Sequence, residues 1–175
     1  VTEDYNSFGL VAIGENLYAY IRKVLPEGST ILELGSGWGT SRLVNHYTVY
    51  SVEHDPEYWD KYHDNYLHVP LKQHKAVKNQ VGDIWYDAKV LGDVLVGIDY
   101  DLLLIDGPPM YRAGFVKYFD FFDPNVIMIF DDVNRKKDNT VMNSIAAKLE
   151  VPYVTYGAGT EKLFGVINDP SVSNK

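Results

Sequence analysis

Residues 31–39, ILELGSGWG, decide how the rest of the chain reads. Ile31, Leu32 and Leu34 make a short apolar run with one carboxylate, Glu33, inside it. Gly35, Ser36, Gly37 and Gly39 then form a turn, and residues 40–47 can open a helix. A strand feeding such a turn lets backbone N–H groups approach a ligand closely, because glycine has no Cβ to block it. The first N–H groups of the following helix add an electropositive rim. Gly-x-Gly-x-Gly turns are common between strand and helix, and many do nothing but turn the chain. The flanks therefore decide what this one is for.

On the N-terminal side, residues 12–25 carry Ile13, Leu17, Ile21, Val24 and Leu25 at helical spacing, and Pro26 and Gly28 end the pattern. This helix is expected either to pack on the sheet edge or to cap a cofactor site, with core packing the plainer role. On the C-terminal side, residues 49–53 (VYSVE) alternate as a second strand and end in Glu53. A carboxylate at that point can accept both hydrogen bonds of a ribose diol. His54, next to it, either reaches the nucleotide or is a surface histidine. Asp55 and Pro56 look like a helix start, giving an expected helix over 57–66, with a third strand over 67–71 and an exposed loop over 72–80. Residues 81–87 are expected to open a further helix running to about residue 96. Asp83 could accept from an adenine amine and Trp85 could cover the ring; equally, Asp83 could only cap the helix.

Residues 100–105 (YDLLLI) are a continuous apolar run, suited to a central parallel strand. Asp106 stops it abruptly, and a charge at the carboxyl end of a central strand lies over the ligand crevice of an open α/β sheet. Residues 112–122 read as a helix with Phe115, Phe119 and Phe122 inward. Residues 126–130 (VIMIF) are another buried strand, ending in Asp131 and Asp132. Two adjacent carboxylates facing the same crevice as Asp106 are costly unless paired, metal-bound or hydrated; Asp132 could also point away to brace the next loop. A helix over 138–150 and strands over 153–156 and 163–167 complete the chain, the last two close enough for an antiparallel hairpin.

Bulk properties narrow the field. The chain of 175 residues suits one domain, 1–175, with a core of its own. Its formal charge of -8 argues against a nucleic-acid partner, since phosphate backbones attract basic surfaces. It has no cysteine, which excludes disulfide and thiolate chemistry and accords with a cytoplasmic location. No apolar run is long enough to span a bilayer and no signal peptide is visible, so no membrane partner is expected.

Alternating strand–helix units followed by an antiparallel pair resemble the class I AdoMet-dependent methyltransferase fold. The residues that carry the resemblance are the turn from Glu33 to Gly39, Glu53, and Asp106 after YDLLLI. The DGPP and DDVNR segments further resemble small O-methyltransferase-type proteins, some of them sugar or natural-product modifiers. The resemblance implies a Rossmann-like sheet of seven strands, the last antiparallel, with helices on both faces. It implies that Glu33 and the glycine turn hold the methionine part of AdoMet, Glu53 the ribose, and Asp83 with Trp85 the adenine end; His54 and Asp106 are further candidates for the cofactor site. It also implies a small-molecule acceptor. The chain is short for such a protein, so acceptor selection falls to short loops, the N-terminal helix or a partner subunit of a homo-oligomer.

Methyl transfer to an alcohol or phenol needs a positioned acceptor and either a base or a metal that lowers the acceptor's pKa. Asp106 and Asp131 are the catalytic candidates. Asp106, Asp131 and Asp132 together are the candidate Mg²⁺ ligands, in the place where catechol-type O-methyltransferases carry an Asp and an Asp-Asn pair. Relief by a metal and relief by a raised carboxyl pKa are both open. Rival readings are a nicotinamide dehydrogenase, an aminopropyltransferase-like enzyme and a non-catalytic AdoMet-binding module. The dehydrogenase is disfavoured by Thr40, which stands where its turn has a third glycine.

Overall fold

The computed structural model describes residues 13–74, 84–109, 112–160 and 162–172. A seven-stranded sheet organises them. It is built from β1 (Thr30–Leu34), β2 (Thr48–Glu53), β3 (Tyr66–His68), β6 (Leu102–Ile105), β7 (Ile127–Phe130), β8 (Tyr153–Tyr156) and β9 (Phe164–Ile167), in the order β3-β2-β1-β6-β7-β9-β8. The β3-β2-β1-β6-β7 block is parallel, while β9 runs antiparallel to both β7 and β8. The class I methyltransferase sheet expected from the sequence is thus the sheet observed.

Strand periodicity places the core on both faces, since successive side chains point opposite ways. Leu32, Leu34, Leu103, Ile105, Met128 and Phe130 point to one face and meet helices α3 (Ala88–Leu95), α4 (Gly114–Lys117) and α5 (Lys136–Leu149). Ile31, Val49, Leu102, Leu104 and Ile129 point to the other, under α1 (Glu15–Val24) and the short α2 (Thr40–Leu43). Ile13, Leu17 and Ile21 are fully buried there, so α1 packs on the sheet as its periodicity requires.

Four local expectations need correction. Residues 55–62 form successive turns instead of a helix. The Asp55 carboxylate accepts from Glu57 N–H at 3.0 Å, and Asp60 has a φ of 53°. A left-handed residue there ends any helical run. Trp59 turns out to stack on His68, with ring centroids 4.1 Å apart. The strand expected over 67–71 divides around Pro70 into β3 and β4 (Leu71–Gln73), and β4 pairs with β5 (Ile84–Tyr86) in a separate two-stranded sheet. β5 occupies the place of the expected helix start, and α3 begins only after it. Asp87 caps α3 by accepting from Lys89 N–H at 3.0 Å, and its other oxygen holds Lys72 at 2.9 Å. The helix expected over 112–122 shortens to the single turn of α4 and a 3-10 turn at Phe119–Phe121, yet Phe115, Phe119 and Phe122 are buried as expected.

Candidate functional site

The strand order reverses between β1 and β6, and their carboxyl ends open into a crevice of about 340 Å³. Its floor is the turn after β1. Gly35 adopts φ 86°, and a Cβ there would lie 2.8 Å from Gly107 Cα on the neighbouring strand end. The reverse also holds, since a Cβ on Gly107 would lie 2.7 Å from Gly35 Cα. The two backbones meet because neither residue has a side chain.

The turn's N–H groups are spent inside the protein. Gly35 N–H donates to Val52 O at 2.9 Å, Ser36 N–H to Glu53 Oε2 at 2.8 Å and Gly37 N–H to Thr40 Oγ1 at 3.0 Å. The turn N–H groups that the sequence offered to a ligand are therefore already occupied at these three positions. Glu33 explains how the turn is held. It is buried beneath the turn, where Thr40 Oγ1 donates to its carboxylate at 2.9 Å and Ser51 Oγ at 2.7 Å. Ser51 also meets His63 Nε2 at 2.9 Å. Burial pushes the Glu33 carboxyl up to about 8 against these hydrogen bonds. Glu33 braces the turn from below and is not part of the crevice wall, a correction to its expected direct contact with the cofactor.

Glu53 ends β2 on the crevice wall. Besides Ser36, its carboxylate accepts from the backbone N–H of His54 at 2.6 Å and of Asp55 at 2.8 Å. His54 Nδ1 lies 2.9 Å from Oε1, though not aligned for a hydrogen bond. Burial raises the carboxyl, but the His54 ring and the three backbone donors outweigh it, so Glu53 lies below its ordinary value and is ionised. Trp38, 40% exposed, and Tyr58 stand at the mouth.

Of the adenine pair, Asp83 lies outside the described residues, and Trp85 is corrected. Its indole is fully buried between Tyr86 and Phe115, and a Cβ on Gly114 would come within 2.4 Å of it. It fills the core under α4 and does not reach the crevice.

Asp106, Asp131 and Asp132 converge at the ends of β6 and β7, with one carboxylate oxygen of each within 4.8 Å of the others. Asp106 is 21% exposed and lines the crevice. Burial of the remainder and the Asp132 charge raise its carboxyl above the ordinary value, although Arg112 pulls the other way. Asp131 sits behind the wall, 1% exposed, with Oδ2 buried and without a hydrogen-bond partner. Burial first, then the Asp106 and Asp132 charges, push it to about 8. Asp132 adopts φ 59°, a left-handed conformation that aspartate tolerates better than most residues. It lies 3.0 Å from Arg135 Nη1, on the crevice side.

The residue that sequence reasoning missed is Arg112. It is 5% exposed, and its guanidinium donates to Asp106 Oδ1 at 3.0 Å, to the backbone carbonyl of Asp131 at 2.8 Å and to that of Asp106. It also lies 3.4 Å from Asp132 Oδ2 and 3.7 Å from Asp138 Oδ1. The only sequence signal for it is the surplus of carboxylates, which calls for a counter-ion without naming one.

No family model matches the chain, and no curated protein matches it. Solved structures do. The chain is similar to human methyltransferase-like protein 13 in complex with SAH, at 15% identity and TM-score 0.51, over 91% of this chain and 81% of that one. It is similar to the MycE methyltransferase of the mycinamycin biosynthetic pathway in complex with Mg, SAH and mycinamycin VI, at 13% identity and TM-score 0.52. That match covers 96% of this chain and 53% of MycE, so the chain spans about half of that protein's length. At these identities the likeness is one of fold: this is a methyltransferase fold. No helix among the described residues is long and apolar enough to cross a membrane.

Proposed function

We propose that the chain is an AdoMet-dependent methyltransferase acting on a small hydroxylated acceptor of the sugar or natural-product type. One observation carries the cofactor choice. Gly35, Ser36 and Gly37 all spend their N–H groups on Val52, Glu53 and Thr40, leaving none of the three for a pyrophosphate. A dinucleotide needs such donors at this turn. AdoMet has no phosphate and needs instead close backbone approach and a carboxylate for its ribose. Gly35 and Gly107, packed backbone to backbone, keep side chains off the crevice floor, and Glu53, ionised at the crevice wall, is the carboxylate offered to the ribose.

AdoMet brings an electrophilic methyl on a sulfonium, and the protein's task is to position the acceptor oxygen and take its proton. Asp106 suits this second role, being open to the crevice with a carboxyl raised above its ordinary value by burial and the Asp132 charge. As the acceptor O–C bond forms, the S–C bond breaks, the sulfur keeps the electron pair, and the hydroxyl proton passes to the Asp106 carboxylate. Asp131, behind the wall, is raised to about 8 by burial and so stays protonated near neutral pH, bordering Asp106 without adding a charge. Mg²⁺ does not fit these residues as they stand. The Arg112 guanidinium already sits against one oxygen of Asp106 and one of Asp132, placing a positive charge inside the cluster, so no step is routed through a metal.

Thermal-shift comparison of AdoMet, SAH, decarboxylated AdoMet and NAD tests the proposal. AdoMet and SAH are expected to raise Tm and NAD to leave it unchanged. Stabilisation by NAD instead would overturn the cofactor assignment. Methyl transfer to a hydroxylated acceptor should fall by roughly 10²–10⁴-fold in Asp106→Asn, the usual contribution of a general base. Full activity in that variant would remove Asp106 as the base.

A further inference from the structure

The carboxylate cluster at the ends of β6 and β7 contains a cation of its own. We propose that Arg112 is a built-in replacement for a divalent ion: it holds Asp106 and Asp132 in place and closes the cluster to metals. This rests on the crevice being the methyl-transfer site, but its test does not require a methyl acceptor.

A metal bridging these strands would have to offset the carboxylates' charge and tie the two strand ends together. Arg112 does both. Its Nη2 faces Asp106 Oδ1 at 3.0 Å and Asp132 Oδ2 at 3.4 Å, while Nη1 faces Asp138 Oδ1 at 3.7 Å. The same fork donates to the main-chain carbonyls of Asp106 and Asp131, the first residues beyond two adjacent parallel strands. A planar guanidinium can make such divergent bonds, whereas a lysine ammonium cannot span them. Because Arg112 is buried, its charge is weakly screened and would repel a second cation lodged among the same carboxylates. Arg135, 3.0 Å from Asp132, adds to that repulsion from the crevice side. The left-handed backbone at Asp132 belongs to this arrangement, in which one carboxylate meets both arginines. Arg112 is thus a positioning residue that acts through Asp106.

The test is a titration with Mn²⁺ followed by electron paramagnetic resonance, to about 1 mM, a concentration that fills even weak carboxylate sites. Wild-type protein is expected to leave the free Mn²⁺ signal intact. Arg112→Met, which keeps volume and removes charge, is expected to bind one Mn²⁺ and to lose it again when Asp132→Asn is added. Mn²⁺ bound by wild type and released in Asp132→Asn would overturn the proposal. So would a folded Arg112→Met that binds none. If Arg112→Met fails to fold, the wild-type and Asp132→Asn titrations decide alone, with absence of binding supporting the proposal and Asp132-dependent binding overturning it. SAH calorimetry on the same wild-type sample separates the two claims. SAH binding with Mn²⁺ binding removes only the Arg112 claim. Absence of SAH binding removes the proposed function and the positioning role of Arg112 with it, leaving the Mn²⁺ result to decide only whether Arg112 closes the cluster to metals.

Discussion

At Asp131 the folded chain holds a carboxyl at about 8 against an ordinary 3.8, because the group is buried beside Asp106 and Asp132. The native state therefore keeps a proton that the unfolded chain releases at much lower pH. Stability must fall as pH rises from about 4 to about 8, since over that window the native state binds more protons than the unfolded one. Glu33, also raised to about 8 by burial, has the same sign. Asp131→Asn removes one of these penalties, so its gain in Tm over wild type should be larger at pH 8 than at pH 5. Melting curves at the two pH values check this, and an equal difference at both would mean Asp131 is not raised. Among single residues, Glu53 and Asp106 were legible in the sequence because a charge that ends a strand has few places to go. Arg112 was not, because its partners lie on β6, β7 and α5 and meet only in three dimensions. Trp85 and Glu33 were misplaced for a related reason. Residue type suggested the ligand, while burial under α4 and beneath the turn assigns one to the core and the other to bracing.

Periodicity located elements wherever burial enforced it. β8 matches its expected limits, β1 covers the expected apolar run, and the other sheet strands expected from the sequence lie within two residues of theirs or, for β3, are cut short at Pro70. The segment 81–96 misled because IWY is short and aromatic, and a three-residue strand followed at once by a capped helix looks like one continuous helix. The real helix start is Asp87, and Asp87→Ala should cost about 1 kcal/mol through loss of the cap. Within the same helix, a Cβ on Gly92 would meet only the Phe121 ring, at 3.5 Å, an ordinary contact. Gly92→Ala should therefore stabilise the protein by about 0.5–1 kcal/mol, the usual helix-interior difference. Urea denaturation measures both changes. A destabilised Gly92→Ala would show that α3 and Phe121 pack too closely to admit a methyl group.

For the whole molecule, the reversal between β1 and β6 sets the function, because it leaves the carboxyl ends of four parallel strands around one opening. Glu53 comes from β2, the glycine turn from β1, Asp106 from β6 and Asp132 from the end of β7. That architecture is readable from the sequence alone, since alternating strands and helices with an antiparallel ending leave few topologies. Which atoms face the opening is not, because a shift of one residue along a strand moves a side chain to the other face. The central claim is that this opening binds AdoMet through Gly35 and Glu53, and calorimetric titration of SAH into wild type and Glu53→Ala tests it most directly. Wild type should bind SAH at a single site, and Glu53→Ala should lose about 1.5–3 kcal/mol for each ribose hydrogen bond to the ionised carboxylate. No SAH binding by wild type, or equal affinity in Glu53→Ala, would contradict it.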